Sequence, residues 1–233
     1  MEGRQPSCGA IFTDERRHAK KGKRSHIDYL VCNNEATLLS MINLGCIDIN
    51  PWSSRVTSPQ QPDFILIDLD PSDNDQQKLV DTAMATKAFC DKHKLKAFAK
   101  TSGKTGIHFY IPCTGFDFSK GRHFAEHICT EVHKQVPGAS TCANSINSRG
   151  DKVYIDPSQN DYADTLAAPY AVRPFQLPTV STPLEWKEIN ARLNPADFTI
   201  SNIIERLKKK GDLFGSVMDK KIAAANTKVL QKW

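Results

Sequence analysis

Two aspartates stand two residues apart at the end of an apolar segment. Asp68 and Asp70 close segment 64–70, whose composition predicts a β-strand that ends before Pro71. Side chains two apart on a strand project from the same face, under ~7 Å apart at the backbone. Two like charges at the end of a buried strand are costly unless a cation neutralises them, and hard oxygen ligands suit Mg²⁺ or Mn²⁺. The pair indicates a divalent-metal site, with capping of the helix after Pro71 as the alternative.

A third carboxylate, Asp156, ends a second apolar segment, Val153-Tyr154-Ile155. A two-metal site holds two ions ~3.5–4 Å apart between bridging and flanking carboxylates. An aspartate from a second strand is what such a site requires. The alternative interpretation is a turn aspartate ahead of Pro157.

A donor-rich turn, SGKTG at 102–106, separates two predicted strands. Its backbone N–H groups are suited to cradling phosphate. It is not a Walker A loop, because Phe98 stands where that motif needs glycine and because a strand, not a helix, follows. His108 opens the following strand and is a candidate donor to a phosphate oxygen, with a satisfied core histidine as the alternative.

His123, Glu126 and His127 spell H-x-x-E-H, the inverted zincin pattern. The two histidines could hold zinc from one helix face, with Cys129 or His133 nearby. Nothing in the sequence marks a distant third ligand or a large substrate cleft. A solvated helix face is therefore the favoured interpretation.

The elements that must position these residues alternate irregularly. Without regular βαβ alternation, the pattern favours an α+β fold with a largely antiparallel sheet. The predicted strands cover 29–32, 46–52, 64–70, 96–100, 107–111 and 152–156, with a loop at 57–62. The first predicted helix is capped by Asn33 or Asn34 and ends at Gly45. The second begins at a capping box formed by Ser72 and Asp75 and ends at about residue 93. Two more are predicted at about 118–135 and 200–210.

The length, net charge and cysteine content of the chain limit the class of protein that it can be. A chain of 233 residues with a net charge of +5 can bury one sizeable core or two small lobes. Its seven cysteines are scattered and never spaced C-x-x-C, which favours reduced thiols over disulfides or structural zinc. No apolar segment marks a secretory signal or membrane span, so we expect a cytoplasmic protein. Basic runs at 16–24 and 208–210 can neutralise phosphates, although solvated surfaces look the same.

Taken together, these segments resemble the polymerase domain of bacterial DNA ligase D, a branch of the archaeo-eukaryotic primase superfamily. The likeness runs in order over about 27–215. We expect a single catalytic domain at 27–233, whose end after about 215 is less well defined. A mobile basic segment at 1–26 is expected to precede it. The matching stretches are YLVCN at 29–33, LGCI at 44–47, NPWSSR at 50–55, IDLDP at 67–71, TSGKTGIH at 101–108, VYID at 153–156, QN at 159–160, APYAVR at 168–173, PLEW at 183–186 and GDLF at 211–214.

The resemblance implies a primase-polymerase fold, with helices flanking the central sheet, and a set of site residues. Two Mn²⁺ or Mg²⁺ ions would be held by the catalytic aspartates Asp68, Asp70 and Asp156. The nucleotide would be bound by Ser102, Gly103, Lys104, His108, Arg149, Gln159 and Arg173, with weaker DNA contacts from Asn50, Trp52 and Arg55.

The implied activity is metal-dependent transfer of nucleotides, often ribonucleotides, to DNA primer ends in non-homologous end joining. The implied partners are DNA ends or gapped DNA, nucleoside triphosphates, Ku and a DNA ligase. The resemblance implies no membrane and a cytoplasmic location at the bacterial nucleoid.

The sequence departs from the family pattern in three ways. Asn50 stands where the family commonly has histidine, Pro157-Ser158 replace an aromatic-aliphatic pair, and the family carries some tens of residues before the region matching Tyr29. A non-catalytic DNA-end-binding or scaffolding remnant is therefore the alternative, against which the intact aspartates, His108 and Arg173 argue.

Overall fold

The computed structural model describes residues 11–14, 27–73, 75–175 and 177–233. They fall into two compact units, Met1–Ile47 and Asp48–Trp233. In the first unit, strands β1 (Ile11–Asp14) and β2 (Ile27–Leu30) form an antiparallel pair. Strand β1 lies inside the segment predicted to be mobile. The basic run at 16–24 lies outside the described residues.

The first unit ends with helix α1 (Glu35–Asn43). The Asn34 side chain accepts a hydrogen bond from the Thr37 N–H at 2.8 Å, which confirms the predicted cap. The helix stops at Leu44 and Gly45, and Gly45 takes a φ of +85°, which favours glycine.

The second unit contains the remaining strands and helices. Its strands are β3 (Ser54–Arg55), β4 (Ser58–Pro62), β5 (Phe64–Pro71), β6 (Phe98–Thr101), β7 (Ile107–Pro112), β8 (Ser140–Thr141), β9 (Val153–Asp156), β10 (Val172–Arg173), β11 (Thr179–Val180) and β12 (Pro183–Leu184). Its α-helices are α2 (Gln76–Lys92), α3 (Phe118–Gln135), α4 (Ile146–Arg149), α5 (Ile203–Lys210) and α6 (Lys220–Leu230).

A six-stranded sheet in the order β12-β6-β7-β5-β9-β8 organises this unit. Its strands pair antiparallel except for β8 and β9, which are parallel. The predicted α+β class with a largely antiparallel sheet is therefore confirmed. Strand β5 lies in the middle, between β7 and β9, and its apolar residues from Ile65 to Leu69 are almost fully buried.

The two faces of β5 have different roles. Ile65, Ile67 and Leu69 belong to the main core, together with Leu79 and Phe89 of α2 and with Phe124 and Ile128 of α3. Because side chains alternate along a strand, Leu66, Asp68 and Asp70 face the opposite side. There Leu66 packs with Tyr110 and Val217 in a smaller cluster. One face of the strand thus anchors the sheet and the other carries the carboxylates.

Some predicted elements differ from the observed ones. The strand predicted at 46–52 is a loop apart from a bridge between Trp52 and Thr165, because the Asn50 amide bonds the carbonyl and side chain of Asp48 and competes with strand pairing. The loop predicted at 57–62 contains strand β4, whose prolines are tolerated because β3 and β4 form a separate two-stranded sheet.

Helix ends and short elements also differ. Asp75, not Ser72, caps α2, since its side chain accepts from the Gln77 and Lys78 N–H groups. Helix α6 was not predicted, and Leu230 near its end is fully buried. Among the described residues no helix has the length and apolar character needed to cross a membrane.

Candidate active site

The sheet register brings the predicted carboxylates and the predicted histidine into one row. Asp68 on β5 lies directly opposite Asp156 on β9 and directly opposite His108 on β7. His108 in turn lies opposite Lys100 on β6. Directly opposed residues of neighbouring strands share a face of the sheet. Residues from four strands therefore form a continuous row, Lys100–His108–Asp68–Asp156.

The electrostatics of the row centre on Asp68. Burial raises the pKa of Asp68 to about 7, and the negative charges of Asp156 and Asp70 add to the rise, while Lys100 opposes it. The His108 Nε2 atom lies 3.4 Å from the Asp68 Oδ1 atom. A carboxylate with this environment favours a positive charge beside it, either a proton or a metal ion.

The other two aspartates differ in exposure and partners. Asp156 is half-buried, and its Oδ1 accepts from the Ser158 N–H at 2.7 Å and from the Tyr154 hydroxyl at 3.3 Å. Asp70 is exposed, with its Oδ2 atom 3.9 Å from Nη1 of Arg149. These contacts orient Asp156 and leave Asp70 open to solvent.

Arg149 is held in place by its surroundings. Its guanidinium lies 3.6 Å from the centre of the Tyr154 ring and donates to the carbonyls of Ala143 and Asn144. Stacking on an aromatic face suits a planar guanidinium. Arg149 thus presents positive charge toward Asp70 from the β9 side of the row.

The loop at 102–106 is built around the Ser102 hydroxyl. Its Oγ accepts from the N–H groups of Lys104 and Gly106 at 3.1 and 3.0 Å, which closes a tight turn. Both glycines are required. A Cβ on Gly103, where φ is +78°, would lie 2.5 Å from Cγ of Arg173, and a Cβ on Gly106 would lie 2.3 Å from the Leu69 carbonyl oxygen. The loop therefore sits directly against β5, between the two aspartates of that strand.

Arg173 lies on the other side of the loop. Its Nη1 donates to Asp48 Oδ1 at 3.0 Å and to Asn50 Oδ1 at 3.2 Å. Asn50, for which the resemblance implied a weak DNA contact, is a direct partner of this arginine. These two oxygen acceptors hold the guanidinium in place.

A cleft of about 270 Å³ collects most of the predicted residues. Asp68, Asp70, Ser102, Lys104, His108, Gln159, Arg173 and Asn50 line it, together with Thr105, Gly106, Thr165, Leu166 and Ala167. Asp156, Arg149 and Gly103 lie beside it and do not line it. Trp52 and Arg55 line a neighbouring, more apolar cavity of about 360 Å³ that shares Gln159, Thr165, Leu166 and Ala167 with the cleft.

The predicted DNA contacts of the neighbouring cavity already have protein partners. The Arg55 Nε atom donates to both oxygens of Asp63 at 2.9 and 3.1 Å. The Trp52 ring packs edge-on against Tyr162 with ring centres 5.2 Å apart. Both residues line the neighbouring cavity and not the cleft that Asp68 and Asp70 line.

The donor set of the row fits a hard divalent cation. Among the described residues, no three His, Cys, Asp or Glu side chains are arranged as a ready-made metal site. Asp68, Asp70 and Asp156 nevertheless offer oxygen ligands on one face, and burial raises the pKa of Asp68, with repulsion from Asp156 and Asp70 adding to the rise. A hard cation would relieve this repulsion. His127 of the H-x-x-E-H pattern instead contacts the rings of Phe89 and Trp233.

Two residues of the site were not predicted. Lys100 is fully buried at one end of the row, and its only sequence signal is a lysine that directly follows the apolar segment 97–99. Asn160 is buried and clamps β5, since its Oδ1 accepts from the Leu66 N–H and its Nδ2 donates to the Leu66 carbonyl. Its Nδ2 also donates to the Pro157 carbonyl, which fastens the turn after Asp156 to the central strand.

Comparison with known proteins places this architecture in a family. A family model described as the primase-polymerase domain of LigD matches residues 6–214, so the match begins upstream of the predicted 27–215. The bifunctional non-homologous end joining protein LigD of Bacillus subtilis (strain 168) is 31% identical over 204 residues, covering 84% of this chain and 33% of that protein. The multifunctional LigD protein of Mycolicibacterium smegmatis is 31% identical over 151 residues, covering 64% of this chain and 20% of that protein.

A solved structure has the same fold. The polymerase domain from Mycobacterium tuberculosis Ligase D, in complex with DNA, superposes with a TM-score of 0.81 at 21% identity, over 94% of this chain and 77% of that chain. The chain spans a third or less of the length of the two curated relatives. From the extent of the family match, the chain belongs to the LigD primase-polymerase domain family.

Proposed function

We propose that the chain is a metal-dependent nucleotidyltransferase that adds nucleotides, including ribonucleotides, to DNA primer ends during non-homologous end joining. One observation carries the proposal. Asp68 and His108, which lie opposite each other in the sheet, both line the cleft that the 102–106 loop and Arg173 also line, and Asp156 lies opposite Asp68 on the other neighbouring strand. Carboxylates for cations and donors for phosphate thus meet in one place, which is what phosphoryl transfer requires.

The proposed roles follow from the contacts. Asp68, Asp70 and Asp156 would hold two Mn²⁺ or Mg²⁺ ions, which when bound would activate the primer hydroxyl and neutralise the triphosphate. The hydroxyl and backbone of the 102–106 loop orient phosphate oxygens. Arg173, fixed by Asp48 and Asn50, keeps further guanidinium N–H groups for the phosphates.

The biological setting is part of the same proposal. We infer that the substrates are nucleoside triphosphates and DNA ends or gapped DNA, and that Ku and a DNA ligase act with the chain at the bacterial nucleoid, in the cytoplasm. The relatives named as end joining proteins and the fold shared with a domain solved in complex with DNA support this setting.

Primer extension tests the proposal. The chain is incubated with a labelled primer on gapped DNA, Mn²⁺ or Mg²⁺, and each ribo- and deoxyribonucleotide in turn. We expect primer extension that requires the cation and is lost in Asp156→Ala. The matched control is Asp161→Ala, an exposed carboxylate on the same segment that pairs with Arg122 and lies outside the row. DNA binding without incorporation under all these conditions would instead support the non-catalytic end-binding alternative.

A further inference from the structure

Strand β9 pairs with the central strand β5 over only four residues, and the pair of Asp156 with Asp68 is the last one toward the start of β5. The next residue, Pro157, has φ of −85° and ψ of −10°, which is a helical conformation, so the strand ends there. The chain then turns through a short 3₁₀-helix at Ser158–Asn160. Asp156 therefore lies at the end of the pairing, where strands open most easily.

The Asn160 side chain takes the place of the missing strand beside β5. Its Oδ1 accepts from the Leu66 N–H at 2.8 Å, and its Nδ2 donates to the Leu66 carbonyl at 2.7 Å. These are the two hydrogen bonds that a residue of a longer β9 would exchange with Leu66. The Nδ2 atom also donates to the Pro157 carbonyl at 2.8 Å. Asn160 is only 5% exposed, so one buried side chain ties the turn after Asp156 to β5.

The turn held by Asn160 carries two groups of the candidate active site. The Ser158 N–H donates to Oδ1 of Asp156 at 2.7 Å, so the position of the turn sets the orientation of this carboxylate. The Gln159 side chain lines the cleft that Asp68 also lines. Both groups lie between Pro157 and Asn160 or directly contact that segment, and they would move with it.

We propose that Asn160 is a positioning residue that holds the Asp156 carboxylate opposite Asp68 so that the two can bind one divalent cation together. Two carboxylates repel each other in the absence of a cation, and a free strand end would let them separate. A clamp that keeps them together prepares the site before the cation arrives. The catalytic consequence rests on the proposed nucleotidyltransferase function, whereas the effect on cation binding does not.

The same hydrogen-bond pattern occurs at Asn226 of α6, which provides a matched control. Asn226 accepts from the Lys96 N–H at 2.8 Å and donates to the carbonyls of Lys96 and Pro112, both at 2.9 Å. It is 1% exposed, and neither it nor its partners line the cleft. Alanine at either asparagine leaves one backbone N–H and two carbonyls without these partners, so Asn160→Ala and Asn226→Ala should lower the melting temperature by similar amounts.

The first experiment measures cation binding without DNA or nucleotide. Titration with Mn²⁺, followed by the electron paramagnetic resonance signal of the free ion, gives the affinity of each variant. We expect Asn160→Ala to bind Mn²⁺ about tenfold more weakly than the wild type, as is typical when a group that orients a metal ligand is lost. Asn226→Ala should keep the wild-type affinity. Equal affinities in the two variants would overturn the inference, and a wild type that does not bind Mn²⁺ would refute it together with the metal site.

A second experiment uses the wild type alone and holds even if Asn160→Ala does not fold. The Leu66 N–H donates to Asn160, so its hydrogen exchange reports opening of the clamp. Coupling between sites is reciprocal, so a clamp that strengthens cation binding must itself be strengthened by the cation. Saturating Mg²⁺ should slow exchange of the Leu66 amide about tenfold more than that of the Lys96 amide, which donates to Asn226. Equal slowing of the two amides would contradict the proposal.

Primer extension connects the clamp to the proposed function. Asn160→Ala should need about ten times more Mn²⁺ for half-maximal extension and approach the wild-type rate at saturating Mn²⁺, while Asn226→Ala should follow the wild type. A loss of rate that Mn²⁺ does not restore would show that Asn160 does not act through cation binding. If the wild type incorporates no nucleotide but the Mn²⁺ affinities differ as expected, the proposed function is refuted and the positioning role stands.

Discussion

At the scale of single residues, the cleft concentrates charge where the sheet is most buried. Asp68 lies between a carboxylate on one neighbouring strand and a histidine on the other, and Lys100 supplies a positive charge from inside the protein. Burial lowers the pKa of Lys100 to about 7, with Asp68 opposing the fall and Arg173 adding to it. The buried charges of Asp68 and Lys100 are therefore unfavourable, and a bound cation beside Asp68 together with a bound phosphate would lower this electrostatic cost.

Asp68→Asn should abolish incorporation and stabilise the metal-free protein. Folding raises the pKa of Asp68 from 3.8 to about 7, so the ionised carboxylate destabilises the folded state. The free energy of unfolding that Asp68 costs the protein therefore grows as the pH rises from 3.8 to about 7. Removing the charge should raise the free energy of unfolding by roughly 1 to 3 kcal/mol at about pH 8 and by much less near pH 4.

Urea titrations at the two pH values and a primer-extension assay check this expectation. Asp81→Asn, an exposed carboxylate of α2, is the control and should change neither quantity. Full activity in Asp68→Asn, or a loss of stability at high pH, would count against the role given to Asp68.

Arg173→Lys should weaken nucleotide binding about tenfold, because a lysine cannot reproduce the bidentate geometry of a guanidinium on phosphate. The Asp48 and Asn50 contacts hold the wild-type guanidinium in place, and a flexible ammonium would lose part of that orientation. Fluorescence titration with a nucleotide and Mn²⁺ measures the change. Arg192→Lys, at an exposed position outside the cleft, is the matched control. Equal affinities for the wild type and Arg173→Lys would remove Arg173 from the phosphate site.

At the scale of elements, the 102–106 loop and strand β5 behave as one unit. The loop joins β6 to β7, and β7 pairs with β5 along its length, so the loop is fixed by the sheet at both ends. Gly106 brings the loop backbone onto the Leu69 carbonyl, between Asp68 and Asp70. The spacing between the loop backbone and the carboxylates of β5 is thus set by backbone contact rather than by flexible side chains.

Gly106→Ala should disturb both the loop and the central strand, because its methyl group would lie 2.3 Å from a backbone oxygen that cannot rotate away. We expect a loss of about 1 to 3 kcal/mol in the free energy of unfolding, typical of overpacking, and weaker nucleotide binding. Gly138→Ala is the control, since a methyl group added there would have nothing within 4 Å of it. Denaturant titration and nucleotide binding measure both. Wild-type values for Gly106→Ala would show that the loop can move off β5 without cost.

At the scale of the whole molecule, the described residues show a second charged cluster, away from the row. Glu188 accepts from Arg206 of α5 at 2.6 Å through both oxygens, and Lys210 lies 3.1 Å away. The cluster joins α5 to the turn that follows β12, the edge strand of the six-stranded sheet. Burial opposes ionisation of Glu188, but hydrogen bonds from Arg206, the Glu185 N–H and Lys210 outweigh it and lower the pKa to about 2.

Glu188→Gln should therefore cost stability at neutral pH and little in strong acid. An acid with a depressed folded pKa stabilises the fold above its unfolded value of 4.5, and this contribution is lost as pH falls toward about 2. Allowing for solvent screening, the loss at neutral pH should be about 1 to 2 kcal/mol. Melting curves over this pH range measure it, with Glu205→Gln, whose partner is the exposed Lys208, as the control. Parallel curves for wild type and Glu188→Gln would show that the network is not coupled to folding.

Local patterns predicted the parts of this architecture that depend on neighbours in sequence. Strand β5, helix α3 and the carboxylates at the ends of β5 and β9 follow from apolar runs and helical spacing, which act within a few residues. Lys100, Asn160 and the Asp48–Arg173 pair depend on register and on segments far apart in the chain, which periodicity does not encode. The same limit explains the missed β8, β10, β11 and β12, which are two residues long and form only by pairing.

The strand order of the six-stranded sheet also determines how much of the chain must be made before the three aspartates can meet. Strand β7, one neighbour of β5 in the sheet, follows β5 in the sequence after α2 and β6. Strand β9, the other neighbour, comes only after α3, β8 and α4 as well. During synthesis Asp156 therefore becomes available to Asp68 only after β5 and β7 have both been made. A nascent chain that ends before β9 has the 102–106 loop, Asp68 and Asp70 but lacks Asp156. Cations and nucleotides should therefore bind only the finished sheet, and by mass action they should shift the balance from partly folded chains toward the native one.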